Sequence, residues 1–391
     1  MSCRCGYSLL VPSALSAPSG LVSLFLTYFR NYKRLRLRLD TRNVLLIGPN
    51  GAGKTSLLEA ISLLSPSKGL RQATLSDLRT TSAPAFSPWS LSAQIQTQEG
   101  EIFDLGTGEE NPGTQTIERR VAKIHHKNTK SLAAFEKVLW ILWLTPTMDR
   151  LFSEAPQKRR AFFDHLTNGL FPQHRGHWTQ YKILLKERSR LLSFPAADAS
   201  WLKTVEEKLA RLGAQITKTR REFLALLTTV LPQMPVSFPI PTLTLRETYA
   251  AEDEEDLEAS LRATLEEHRM QDTQTGNTAA GPHRTEWEVR FSAKGLLASS
   301  CSTGEQKALL ITLIIAAAHL YKARRSGVPL LLFDDCAAHL DAGRQEALWT
   351  ALLHLRIQTW ITSVTPPHFS ATETTLQHFS LENGLCTPSQ I

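Results

Sequence analysis

Cysteine is scarce and scattered in this chain of 391 residues, with five in all and only Cys3 and Cys5 close together, as C-x-C. That excludes a disulfide framework, and C-x-C falls short of a full metal-binding pattern. Reduced thiols in a cytoplasmic protein are the expectation. Long apolar runs are missing too. The longest, Ala308 to Leu320, is too short to cross a bilayer and reads as a core helix. Charge of one sign does not dominate: 44 Lys and Arg against 37 Asp and Glu leave +7. This modest basic excess favours an acidic partner, nucleic acid first, although many proteins with such an excess bind none. Residues 1–20 hold only a short apolar patch, Tyr7 to Val11, broken by Pro12, and lack the apolar core of a signal peptide. They read as a disordered extension or an upstream start, ahead of a targeting segment.

What is present is a nucleotide site written in two distant pieces. The apolar run Val44-Leu45-Leu46-Ile47 leads into Gly48-Pro49-Asn50-Gly51-Ala52-Gly53-Lys54-Thr55-Ser56. The form G-x-x-x-x-G-K-[ST] between a buried strand and a helix turns successive backbone N–H groups toward a phosphate. Its glycines supply positive φ and close approach. Lys54 is expected to reach the β- and γ-phosphates, and the Thr55 hydroxyl to ligate Mg²⁺. A helix from Thr55 to Leu64 adds its N-terminal dipole. A Gly-rich turn before an ordinary helix is the bland alternative.

The second piece is Pro329-Leu330-Leu331-Leu332-Phe333-Asp334-Asp335. An apolar run of this length reads as a buried parallel strand. Acids at its C-terminal end sit where ligands bind in open α/β sheets. Asp334 is expected to hold Mg²⁺, directly or through water, and Asp335 to orient the attacking water. Alone, this stretch fits an acidic loop after a core strand equally well. Paired with the phosphate loop, it points to ATP and Mg²⁺ as cofactors.

Between the two pieces the chain changes character. Leu21 to Leu26 and Arg34 to Leu39 read as strands, the second alternating basic and apolar residues. Its basic face is either a charge-protected edge or a contact for DNA phosphates. Leu91 to Gln98 and Ile117 to Ile124 read as sheet, around a turn at Gly106 to Gly113, and Leu132 to Trp140 as helix. Pro156 to Leu166, Trp178 to Leu192 and Trp201 to Leu231 read as helices, the last with an amphipathic stripe. Two helices joined at Ser193-Phe194-Pro195 suggest an antiparallel arm. The run Lys158-Arg159-Arg160 either touches DNA or solvates a helix. Glu252 to Glu266 reads as an acidic helix, and Gln271 to Ala280 as a polar linker.

The core resumes at Gly281-Pro282-His283-Arg284. Ser302-Thr303-Gly304-Glu305-Gln306 then opens a helix from Lys307 to Tyr321. Ser302 with Glu305 makes a capping box. The same residues fit the ABC-type signature, in which Ser302 and Gly304 bind the γ-phosphate held by a second subunit, and both readings can hold together. His339-Leu340-Asp341 follows as a D-loop would, and Thr359 to Thr365 reads as the last core strand with its switch region. The fold class expected is α/β: an ABC/SMC-type P-loop ATPase head with an inserted helical arm. Residues 21–145 and 281–391 would form the two halves of the core, with 146–280 the arm and linker.

Together these stretches resemble the RecF family of bacterial ABC/SMC-type ATPases. The resemblance rests on Tyr28 to Tyr32, Gly48 to Thr55 with Leu58 to Ile61, Trp143 to Phe152, Lys158 to Asp164, Gly281 to Arg284, Ser302 to Gln306 and Leu331 to Asp335. It implies an ATP-dependent homodimer with two nucleotides sandwiched between subunits. It also implies DNA binding at single-strand/double-strand junctions, recombinase loading at gaps, an SOS role, and RecR and RecO as partners. Arg71 resembles an arginine that couples DNA to the site in SMC proteins. Asp335 replaces the glutamate common in transporter ATPases, and its shorter side chain implies slow turnover. The chain departs from the family at Thr285, which precedes the acidic Glu286. Gln94 is a candidate Q-loop residue. Two rivals remain: a transporter ATPase subunit, which would lack the arm, and an SMC-like scaffold that binds ATP and barely hydrolyses it.

Overall fold

In the computed structural model, which describes residues 18–84, 87–110, 119–194, 198–234, 238–249, 256–337, 340–365, 376–382 and 384–388, a parallel sheet organises the molecule. Asn43–Ile47 lies between Gln358–Ser363 and Leu376–Glu382, parallel to both. Val328–Phe333 and Leu139–Leu144 extend the sheet on one side, and Leu385–Pro388 closes the other edge antiparallel to its neighbour. Successive side chains point to opposite faces of a strand. Val44, Leu46, Leu330 and Leu332 therefore enter one buried cluster, and Leu45, Leu331 and Phe333 another. Both faces are covered, so the strands are apolar without alternation.

A second, antiparallel sheet covers the first cluster. Gly20–Phe29 sits between Tyr32–Arg38 and Ser90–Gln96, and Ile102–Glu110 and Arg119–Ile124 follow in order. The helix Lys54–Ser62 contributes Leu57, Leu58, Ala60 and Ile61 to the same cluster. Gln358 ties the two sheets, accepting the Leu21 N–H at 2.8 Å and donating to the carbonyls of Leu21 and Asp40 at 3.1 and 2.9 Å. On the other face lies the helix Thr303–Arg324, apolar all round and buried from Gln306 to Ala318, as a helix inside a core must be.

The helices Gln173–Leu192 and Ala199–Val230 pack against each other, with Leu257–Glu267 added. They share a third cluster around Tyr181, Leu209, Ile216 and Leu261. Buried ions hold this arm together. Arg188 donates to Glu206 at 3.0 Å, Asp272 at 2.6 Å and the Leu265 carbonyl at 2.7 Å. At the base of the arm Arg220 grips Asp164 through two bonds of 2.8 Å and donates to the Pro282 carbonyl at 2.6 Å. Tyr181 meets His283 at 3.0 Å. The Gly-Pro-His-Arg stretch is thus the joint between arm and head.

Four expectations need correction. Leu132 to Trp140 is not one helix: a short 3-10 helix, Leu132–Lys137, gives way to the buried strand Leu139–Leu144. The polar stretch at Gln271 contains a helix, Arg269–Thr275, because Asp272 is bound there by Arg188 and by the Ala279 N–H at 2.9 Å. The strand ending at Ser363 is not the last of the core, since Leu376–Glu382 pairs beyond it with the phosphate-loop strand. The turn expected from Gly106 is strand as far as Glu110, because Ile102–Glu110 pairs along its length with Ser90–Gln96 on one side and Arg119–Ile124 on the other. The Tyr28 to Tyr32 block forms a tight hairpin between its two flanking strands. The expected extension at 1–17, the turn tip at 111–113, Pro195 and His339 lie outside the described residues.

Candidate nucleotide site

The phosphate loop leaves the C-terminal end of its strand and is shaped by what touches it. Gly51 and Gly53 have φ of 82° and 109°, the left-handed region. A Cβ on Gly53 would stand 2.4 Å from Asn31 Nδ2 and 2.5 Å from Tyr32 Oη. One on Gly48 would stand 2.3 Å from the Leu381 carbonyl oxygen. Tyr32 Oη donates to the Gly53 carbonyl at 3.0 Å. The hairpin tip of the antiparallel sheet therefore braces the loop.

Lys54 Nζ donates to the carbonyls of Gly48 and Pro49 at 2.7 and 2.9 Å. Burial lowers its pKa, while Asp335 and Asp334 pull the other way. Thr55 Oγ1 donates to Asp334 Oδ1 at 2.9 Å, and Thr362 Oγ1 donates to the same oxygen at 2.8 Å. Burial raises the Asp334 pKa against those two hydroxyls. The Asp335 N–H donates back to Thr362 Oγ1 at 2.8 Å, which holds Asp335 at a φ of 48° just past its strand.

Asn50, Gly51, Gly53, Lys54, Thr55, Ser56, Asp334 and Asp335 line one cavity of about 210 Å³. Arg71, Pro146, Thr362 and Val364 complete it. Arg71 is anchored by the fully buried Glu59 at 3.6 Å, and Glu59 also takes two bonds from Arg30, at 2.8 and 2.7 Å. Arg30, Asn31 and Tyr32 thus all serve the loop and its helix. In the sequence Thr362 belongs only to the expected strand and switch region, and Pro146 only to the Trp143 to Phe152 block, with no individual role for either. The only available signal was a threonine at the end of an apolar strand.

The other candidates stand elsewhere in the chain. Gly48, Pro49 and Ala52 belong to the loop without facing the cavity. Ser302 is exposed at the N-terminus of Thr303–Arg324 and forms the capping box: its Oγ accepts the Glu305 N–H at 3.4 Å, and its own N–H donates to Glu305 at 3.0 Å. Gly304 lies in the same first turn. Asp341 caps the helix Ala342–Leu355, accepting the Arg344 N–H at 2.9 Å. Gln94 is not at the site at all: it lies on the antiparallel sheet and donates to Asp104 at 3.0 Å. Lys307, on the Ser302 helix, reaches Asp149 at 3.2 Å and the Asp335 carbonyl at 3.4 Å. It connects that helix to the backbone of Asp335 at the edge of the cavity.

One hydroxyl and one carboxylate converging at the mouth of a phosphate loop are hard oxygen donors. They fit a magnesium ion that keeps water and phosphate oxygens as its other ligands.

A parallel sheet with a P-loop at one strand and paired carboxylates at another, roofed by an antiparallel sheet and carrying a helical insertion, defines an ATPase head of the SMC class. Residues 20–387 match the RecF/RecN/SMC N-terminal domain family. The DNA replication and repair protein RecF of Rhizobium rhizogenes is 38% identical over 371 residues, covering 94% of this chain and 98% of its own. That of Rhizobium etli is 39% identical over 366 residues, covering 92% and 96%. The chain belongs to the RecF family. Among solved structures, the recombination mediator protein RecF with ATP, of the RecFOR pathway, superposes with a TM-score of 0.81 over 97% of this chain and 100% of its own, at 21% identity. An Smc head domain from Pyrococcus furiosus gives 0.53 at 13% identity, covering 95% of this chain and 96% of its own. These two likenesses concern the fold alone. No helix among the described residues is long and apolar enough to cross a membrane.

Proposed function

We propose that this chain is an ATP-driven DNA-binding protein of replication and repair that closes into a homodimer on ATP. The observation that carries the reading is the convergence of Lys54, Thr55, Asp334 and Asp335 on one cavity. Lys54 and the loop amides would bind the phosphates, and Thr55 and Asp334 would hold Mg²⁺. That ion supplies charge neutralisation at the β- and γ-phosphates. Asp335, held by Thr362, would orient the attacking water. Hydrolysis is slow in this reading, as a switch requires, because the aspartate is a short arm for that task.

Ser302 and Gly304 stand outside their own cavity and Ser302 is exposed, so they are free to meet the nucleotide of a second copy. Each copy would then complete the other's site, and ATP would shift the population toward the closed dimer. Asp341 would contribute to the same seam. Residues 146–280 act in this reading as one inserted unit on the core. DNA at single-strand/double-strand junctions is the substrate, recombinase loading at gaps the outcome, and RecR and RecO the partners, as in the family.

The DNA contact is read from the edge strand Tyr32–Arg38. Arg34, Arg36 and Arg38 share its exposed face and have no ion-pair partner among the described residues. Their cross-strand neighbours are Thr27, Phe25 and Ser23. A row of unneutralised guanidinium groups suits phosphates, without sequence preference.

Sedimentation with and without ATP tests the reading, on the wild type, Lys54→Met and Ser302→Arg. An ATP-induced dimer lost in both variants is expected. A monomer under every condition would leave Ser302 as a helix cap alone and overturn the shared site.

A further inference from the structure

Two short segments separate the nucleotide cavity from a second, larger one. Arg71 and Pro146 line the first. Their chain neighbours Leu70, Gln72, Thr145 and Thr147 line the second, of about 470 Å³. Alternating residues of each segment thus serve opposite sides, and the partition belongs to both cavities.

The far wall of the second cavity includes Trp143 and His165, whose rings pack at 4.4 Å between centroids. Trp143 remains partly exposed. His165 Nε2 is buried and has no protein partner. Burial lowers the His165 pKa to about 4, so the imidazole is neutral at pH 7. Lys68 and Lys158 also line the cavity. Lys158 meets Glu154 at 3.0 Å, while Lys68 makes no ion pair among the described residues. The loop that carries Lys68 is fixed: Arg120 donates to the carbonyls of Ser65 and Ser67, each at 2.7 Å, and the Leu70 N–H donates to Ser62 Oγ at 2.9 Å.

An aromatic plane, an unpaired ring nitrogen and lysines around one cavity form the set that receives a base and its phosphate. A purely apolar side chain from a protein partner would leave the His165 nitrogen unpaired, at a cost. We propose that this cavity binds one nucleotide unit, with the base on Trp143 and hydrogen-bonded to His165, and the phosphate at Lys68 and Lys158. The unit is either a free nucleotide or one residue of a single DNA strand, and the second source rests on the DNA-binding reading above. Because the partition is shared, an occupant bears on Arg71 and Pro146. Its coupling to ATP binding must then be reciprocal.

The test is photocrosslinking on the full chain, with a non-hydrolysable ATP analogue filling the first site. The probes are 5-iodouridine 5′-monophosphate and a thymidine oligonucleotide with one central 5-iodouracil, and adducts are mapped by mass spectrometry. Adducts on Trp143 or Met148 are expected, and they diminish in Lys68→Glu/Lys158→Glu. Trp143→Leu, which removes the stacking plane, should weaken binding roughly 5- to 150-fold, and Trp143→Phe much less. If the leucine variant does not fold, the lysine pair, away from the core, decides. Adducts with both probes assign a free-nucleotide site, and adducts with the oligonucleotide alone assign a DNA-strand site. Retention of the oligonucleotide with adducts only elsewhere overturns the cavity and leaves the DNA-binding reading intact. An oligonucleotide that is not retained, together with no monophosphate adduct, overturns both.

Discussion

Thr55 and Asp334 lie 279 positions apart in the chain, yet Thr55 Oγ1 donates to Asp334 Oδ1 across 2.9 Å. Thr362 reaches the same oxygen at 2.8 Å and also accepts the Asp335 N–H. A single hydroxyl therefore fixes one carboxylate through its side chain and the other through its backbone.

Thr362→Val, which keeps the shape and removes the hydroxyl, should act on turnover more than on binding. Losing a hydrogen bond to a charged group costs about 1.5–3 kcal/mol, so kcat should fall roughly 10- to 150-fold. The affinity for a fluorescent ATP analogue should change much less. Equal losses in both would mean that Thr362 merely supports the cavity, and steady-state kinetics beside equilibrium binding decides.

Asp334 should weaken the nucleotide-free protein. Burial raises its pKa, so the folded state holds the proton to higher pH than the unfolded chain does. Stability then falls as pH rises from the unfolded value of 3.8 through the folded one, and stays lower at neutral pH. Asp334→Asn removes the buried charge, while its side-chain oxygen still accepts from Thr55 and Thr362. The variant should melt at higher temperature without ligand and lose the stabilisation given by Mg²⁺ with ATP. Thermal melts with and without nucleotide measure both effects.

The phosphate loop, the strand before it and the Leu331 to Asp335 strand were legible because each has a local cause: glycines that permit a turn, and an apolar run ending in acids. Leu139–Leu144 was not. A continuous apolar run carries no period, and the helical residues just before it favoured extending the helix. The helix Arg269–Thr275 was hidden for a different reason. Its sequence is polar, and what orders it is the Arg188 contact to Asp272, 84 positions away in the chain. Gln94 failed as a site residue because strand pairing, not sequence distance from the loop, decides its neighbours. Thr362 and Pro146 face the cavity only because two remote strand ends meet there.

Asp164 at the base of the arm should set an acid limit to stability. Burial alone would raise its pKa, but Arg220 and His174 overcome this and bring it to about 2. The stabilisation is therefore fully present above the unfolded value of 3.8 and is lost as pH falls toward 2. The shift corresponds to roughly 2–3 kcal/mol. Asp164→Asn should cost about 3–5 kcal/mol at pH 7, since it leaves Arg220 buried beside a neutral partner. The variant's stability should also vary less with pH between 4 and 2 than that of the wild type. Urea unfolding across that range checks the sign.

The basic edge strand should govern how steeply DNA binding depends on salt. Arg34, Arg36 and Arg38 point from one face of Tyr32–Arg38, beside the exposed Phe25. Each arginine in contact with a phosphate contributes about one unit to the slope of log affinity against log salt. Replacing all three by glutamine should lower that slope by up to about three and weaken every DNA sequence alike. The strand should still pair, because Leu35 and Leu37 keep its buried face. ATP affinity should be unchanged, since none of the three lines the nucleotide cavity. An unaltered slope would make this face a charge-protected edge and move the DNA contact elsewhere on the head or arm. Fluorescence anisotropy with two unrelated sequences at several salt concentrations separates the outcomes.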